Sequence, residues 1–175
     1  YYLFAAGANM GYVGELYPNE QRITACSDGE FPAGQAIVVE NRTQVTGVDL
    51  ALEPGGSISG MISDVNGPLS AFRGQAILYS PDQTPILSTL NAEPDQSYMI
   101  RGLPPRAYTV IFSSRFLGLV DERYDDIPCP RGSCDLELGT PVEVGYEEHV
   151  TGIDAVLESG SVISGRLTNG ATGTG

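Results

Sequence analysis

Apolar and polar positions alternate with a period of two along much of the chain, the spacing of half-buried β-strands rather than helices. Ile58, Gly60 and Ile62 fall on one side of such a segment, and Ser57, Ser59 and Ser63 on the other. Val48, Leu50 and Leu52 alternate in the same way with Asp49 and Glu53. Further strands are expected at 75–80, 86–90, 97–103, 107–113 and 141–144, divided by Asn-Gly, Pro-Asp and Pro-Pro turns. Tyr98, Tyr108 and Phe112 sit on strand positions and are expected in the core. No segment carries a convincing 3.6-residue apolar period. An all-β fold follows, with short antiparallel strands in a two-sheet sandwich.

The pattern recurs, and so does the sequence beneath it. Residues 45–60 (VTGVDLALEPGGSISG) match 150–165 (VTGIDAVLESGSVISG) at a constant offset of 105, with ten identities in sixteen positions. Residues 11–17 (GYVGELY) match 118–124 (GLVDERY) at an offset of 107, which places a two-residue indel between Tyr17 and Val45. The joints fall in Pro54-Gly55-Gly56 and Ser159-Gly160. The expected organisation is the C-terminal half of one unit at 1–54, a complete unit at 55–158 and the first strand of the next at 159–175. Such a chain is either a window on a longer tandem array or a protomer whose incomplete ends neighbouring copies complete.

Several stretches of the complete unit, taken together, carry a resemblance. They are Ser57 to Asp64, Gly67-Pro68-Leu69, Gln75 to Tyr79, the run SYMIRGLPPRAYTV at 97–110, and Gly152 to Leu157. In this order they resemble the carboxypeptidase regulatory-like repeat of secreted bacterial proteins. The most specific part is Tyr98-x-Ile100-x-Gly102-Leu103-Pro104-Pro105-x-x-Tyr108. The chain departs from the common form at Arg106, where Gly is usual, and in a longer excursion between Gly118 and Gly139. The resemblance implies a seven-stranded antiparallel Ig-like or prealbumin-like sandwich of about 105 residues per unit, repeated in tandem. For function it implies a non-catalytic spacer, stalk or accessory module.

Charge narrows the partners. The 175 residues carry 22 acidic groups, nine Arg, no Lys and one His, for a formal charge of −13. That surface repels phosphates and anionic lipid, so no nucleic acid and no membrane insertion are expected. Without Lys there is no Schiff base, no phosphate-loop lysine and no Lys–Asn cross-link. His149, the only histidine, is expected at the surface, and it rules out catalytic triads or metal sites that need a second His. No nucleophile elbow, phosphate loop or dinucleotide fingerprint occurs, so no catalytic residue, cofactor or enzymatic activity is assigned.

Cys129 and Cys134 flank a short loop that a disulfide would close, worth roughly 2 kcal/mol by chain entropy; the alternative is two free thiols. A disulfide implies an oxidising compartment, hence an extracellular or cell-surface location. Cys26 aligns near Cys134, but Arg22 stands in the place of Cys129, which leaves Cys26 either buried as a small hydrophobe or bonded to another chain. Asp121, Asp125 and Asp126 are weak calcium candidates beside Glu122 and Asp135; a solvated acidic loop is the simpler reading. Asn41-Arg42-Thr43 has the form of a glycosylation sequon. Tyr12, Tyr17, Tyr124 and Tyr146 fall in loops or at strand ends, open to carbohydrate contact.

The sequence therefore points to a non-enzymatic structural repeat of an extracellular bacterial fibre, filament or stalk, whose partners are copies of itself. The alternative is a carbohydrate-binding accessory or adhesin module that meets surface glycans.

Overall fold

Each strand implied by the alternation has one apolar face, and in the computed structural model those faces meet across a shared core. Residues 1–23, 34–81, 85–90, 93, 95–114, 117–130, 134–135, 138–168 and 170–171 are described. Near the start, β1 (Phe4–Ala5), β2 (Gly14–Leu16) and β3 (Glu20–Arg22) form a three-stranded antiparallel sheet, and a 3-10 turn, Ala8–Met10, lies between the first two.

The longer part of the chain contains two further sheets. One is built on β4 (Gly56–Asp64), with β5 (Gly67–Pro68) folded back on its end. The other contains β6 (Gly74–Tyr79) and β7 (Pro85–Leu90). β8 (Ser97–Leu103) returns antiparallel along β4, with Ile58 opposite Ile100. Pro104 and Pro105 then turn the chain into the second sheet as β9 (Arg106–Ser114), which lies antiparallel to β6. β10 (Glu122–Arg123), β11 (Ile127–Pro128) and β12 (Val142–Val144) extend that second sheet around β9. β13 (His149–Val150) and β14 (Ala155–Val156) come back to β4 on its free edge.

The core lies between these two sheets. Ile58, Ile62, Tyr98, Ile100 and Leu103 of the first face Ala76, Leu78, Tyr108, Val110, Phe112, Val142 and Val144 of the second. Burying each large aliphatic or aromatic side chain contributes about 1.5–3 kcal/mol. Tyr98 meets Phe112 edge to face, with centroids 5.8 Å apart. Both core tyrosines find a polar partner: Tyr98 donates to the Ile153 carbonyl at 2.7 Å and Tyr108 to the Pro104 carbonyl at 2.7 Å. The Arg106 guanidinium lies 5.9 Å from the Tyr108 ring centroid, and its φ is not positive, so the place where a Gly is usual accepts a side chain here.

The strands expected in the complete unit are present, but the alternating positions Val48, Leu50 and Leu52 and the strand expected at 159–175, with Ile163, Gly165 and Leu167 inward, form no strand among the described residues: only isolated bridges at Pro54 and Ser159 occur there, and Ile163 and Leu167 are exposed. Within the sandwich there are two further differences. First, the sandwich is not wholly antiparallel, because β13 and β14 run parallel to β4, with His149 opposite Ser57 and Ala155 opposite Ile62. The chain reaches this edge by crossing over from β12 in the other sheet, which sets the direction. Second, eleven strands, β4 to β14, are described within 55–158 where seven were expected. The excursion adds the β10–β11 hairpin, β5 is a two-residue return, and the final strand is split. The split has a local cause: Gly152 takes φ +75°, and the Asp154 carboxylate, not a main-chain carbonyl, accepts the Met61 N–H at 2.8 Å.

Removing the Tyr98 hydroxyl strands the buried Ile153 carbonyl. Tyr98→Phe is expected to cost about 1–2 kcal/mol in chemical denaturation, with the strand content unchanged by circular dichroism.

Candidate functional site: a glycine junction

Where residues 1–54 meet 55–158, the backbone itself makes the contact. The Gly55 N–H donates to the Gly11 carbonyl at 2.8 Å, the Val13 N–H donates to the Glu53 carbonyl at 2.9 Å, and Tyr12 forms a bridge with Pro54. The 3-10 turn ends at Gly11, with φ +83°, and packs against β8 at Gly102, with φ +71°. A Cβ on Gly102 would stand 2.5 Å from the Tyr12 carbonyl oxygen and 2.6 Å from the Ala8 Cα. One on Gly55 would stand 2.6 Å from the Gly102 carbonyl carbon. Glycine at 55 and 102 thus lets two main chains approach closer than any side chain permits.

The same bonds recur at the far end of residues 55–158. The Gly160 N–H donates to the Gly118 carbonyl at 2.9 Å, Val120 N–H to Glu158 carbonyl at 2.8 Å, and Leu119 bridges Ser159. Gly118 also has a positive φ, +66°. The hairpins that carry these glycines share one register: Phe4 lies opposite Leu16, and Ile111 opposite Arg123. Tyr17 N–H donates to the Leu3 carbonyl and Tyr124 N–H to the Val110 carbonyl, both at 2.9 Å. Each pair is related by the offset of 107 or 105 found in the sequence.

Beside the first junction lies a mainly apolar cleft of about 250 Å³, lined by Gly11, Gly55, Gly56, Met99 and Arg101 and edged by Ser57 and His149. The Ser57 hydroxyl and His149 Nδ1 are 2.9 Å apart. A hydroxyl beside an imidazole is where nucleophilic catalysis would begin. Here the pair joins residues opposite each other on neighbouring strands, and the Ser57 N–H is already committed to the Glu148 carbonyl at 2.8 Å. Its evident work is to tie β13 to β4. His149 is exposed, as expected.

The acidic excursion builds a second feature. Cys129 and Cys134 are joined in a disulfide at the end of the β10–β11 hairpin, where the Cys129 N–H donates to the Asp121 carbonyl. Arg123, a fully buried side chain, donates from Nη1 to the Asp135 carbonyl at 2.8 Å and so holds the far side of that loop. Glu122 is buried with Oε1 unpartnered, and lines a cavity of about 200 Å³ together with Asp121, Asp126 and Glu158. Burial first, then the charges of Asp126, Asp125 and Glu158, push its carboxyl up to about 7. Among the described residues no three His, Cys, Asp or Glu side chains are placed together to hold a metal ion, Asp121, Asp125 and Asp126 included.

Of the other sequence candidates, Tyr98, Tyr108 and Phe112 are core residues. Tyr12 and Tyr146 are exposed, whereas Tyr17 and Tyr124 are half-buried, Tyr124 against the core. Asn41 is exposed in a turn. Cys26 lies outside the described residues. Sequence reasoning missed Arg123, whose place in the first hairpin is taken by the buried Leu16, and missed the junction role of Gly102. A charged residue on an apolar register position was the available signal for Arg123; polarity gives none for Gly102.

No protein-family model matches the chain, and no curated protein matches it.

Two outcomes test this geometry. Gly102→Ala forces a side chain into the Tyr12 carbonyl at a positive φ, and is expected to destabilise by about 1–3 kcal/mol. Hydrogen exchange at the Gly55 and Val13 amides should accelerate while that of the core strands changes less. For Glu122, the folded chain holds a proton that the unfolded chain releases near the ordinary value of 4.5. Its stabilisation is therefore present at low pH and lost as pH rises through about 7. The melting temperature should fall between pH 5 and pH 8, and Glu122→Gln should shrink that fall.

Proposed function

We propose that this chain is a non-enzymatic structural repeat of an extracellular or cell-surface bacterial fibre, filament or stalk, stacked end to end on copies of the same unit. One observation carries the reading: the hydrogen bonds that fasten Gly55 to Gly11 recur between Gly160 and Gly118, at the offsets of the sequence repeat. On this reading 1–54 is the latter half of a unit and 55–158 a whole one, with 159–175 beginning the next. Successive units meet through main-chain contacts with little freedom to swing, which suits a semi-rigid rod. The Cys129–Cys134 disulfide suits an oxidising compartment, and the net charge of −13 keeps a long object soluble and opposes lateral clumping. The resemblance to carboxypeptidase regulatory-like repeats points the same way.

A carbohydrate-binding accessory or adhesin role is the second reading. It draws on the exposed rings of Tyr12 and Tyr146.

Electron microscopy of the native material should show filaments with an axial period set by one unit, and a glycan array should stay blank. Compact, monodisperse particles would contradict the first reading, and a specific glycan signal lost on Tyr12→Ala or Tyr146→Ala would favour the second.

A further inference from the structure

The two hairpins that share a register differ at one polar contact. In the first, β3 places Gln21 opposite Glu15 of β2, and the Gln21 side-chain amide donates to Glu53 Oε2 at 2.7 Å. Gln21 and Glu53 both remain exposed with the 55–158 sandwich in place. In the second, the residue opposite Glu122 is Pro128, whose side chain has no donor to offer, and the counterpart of Glu53, 105 residues on, is Glu158. The carboxylate is kept and the group that satisfied it is not.

In place of that amide lies the cavity of about 200 Å³, far larger than the roughly 30 Å³ share of one water molecule. Glu122 lies in its wall, only 9% exposed, with Oε1 unpartnered among the described residues. Asp126, in the turn between β10 and β11, and Glu158 add two exposed carboxylates. Val120, Pro128 and Val156 make the remaining wall apolar. A carboxylate held away from water demands a donor or a positive charge. Arg123, next in the chain, points elsewhere: its guanidinium reaches the Asp135 carbonyl and the Thr109 hydroxyl. The Glu122 carboxyl, pushed up to about 7 by burial and by Asp126, Asp125 and Glu158, ionises readily once a cation arrives.

The lining also selects the kind of cation. A metal ion needs several ligands brought together, and no three acidic side chains among the described residues are so placed. An ammonium carries one compact charge and three N–H donors, which reach separate carboxylates without a fixed coordination geometry. Its carbon chain lies against apolar surface while the charged end keeps polar company. We propose that this cavity binds a primary alkylammonium group, with its nitrogen among Glu122, Asp126 and Glu158 and its carbon chain against Val120, Pro128 and Val156. The 175 residues contain no lysine, so the two sources are a free amine and a lysine side chain presented from outside them. The assignment draws on the hairpin register and the cavity, and stands apart from the end-to-end reading.

Amide chemical-shift titrations of the isotopically labelled 175-residue chain at pH 8, with 1,4-diaminobutane and separately with Nα-acetyl-lysine methylamide, test it. Saturable shifts at the Val120, Glu122 and Asp126 amides are expected, and the compound that saturates at the lower concentration identifies the source. 1-Butanol and butyrate, which keep the carbon chain without the positive charge, should move none of them. Glu122→Gln and Glu158→Gln should each weaken binding by about fivefold or more, and Glu158→Gln, at an exposed position, should leave the melting temperature where it was. Pro128→Gln, which restores the donor of the first hairpin, should weaken binding too. Failure of both amines to saturate, or saturation untouched by Glu122→Gln and Glu158→Gln, would overturn the proposal. So would calcium chloride saturating the same amides at a lower concentration than either amine.

Discussion

The close approach of main chains at Gly55 and Gly102 is the constraint on which the arrangement of the molecule depends. Side chains adjust by rotamer changes, so contacts between them tolerate sliding. A carbonyl set against a glycine Cα does not slide without losing its hydrogen bond or colliding. At this joint the Gly11 carbonyl accepts from Gly55, and the 3-10 turn rests on Gly102, where the strand takes a left-handed value of φ. The first hairpin is thereby fixed to the top of β4 and β8. A short linker alone would limit separation; these glycines also fix direction.

The interior of the sandwich at 55–158 supplies the rigidity behind that joint. β4 is held on one side by β8 and on the other by β13 and β14, and its two isoleucines enter the core beside Tyr98 and Phe112. Tyrosine hydroxyls tie the core to carbonyls at Pro104 and Ile153, both near turns. The excursion after Gly118 is secured differently from the first hairpin. There Leu16 is buried, whereas here Arg123 reaches the Asp135 carbonyl and a disulfide closes the adjoining loop. Replacing a leucine by a buried arginine demands hydrogen-bond partners, and the longer loop provides one.

Much of this could be read in the residues themselves. Period-two alternation located β4, β6, β7, β8, β9 and β12 to within a residue or two, most plainly β6 and β12, where buried and less buried positions alternate; the same alternation at 48–52 and 163–167 marked no strand. Repeat matching located both glycine joints. Three features were not legible. The parallel pairing of β13 and β14 depends on where a crossover lands, and no local pattern carries that. Gly102 looks like any turn glycine until the 3-10 turn is seen lying on it. Glu122 looks like one solvated acid among many, yet the fold places it facing the core edge, opposite Phe112, with like charges around it.

The proposed rod requires the hairpin of residues 1–23 and the sandwich of 55–158 to move as a single body. Residual dipolar couplings on the isotopically labelled chain measure this directly, since each rigid body reports one alignment tensor. A single tensor fitting the amides of both regions is the predicted result. Two tensors of different magnitude or orientation would show a free hinge at Pro54-Gly55, and the rod would lose its physical basis.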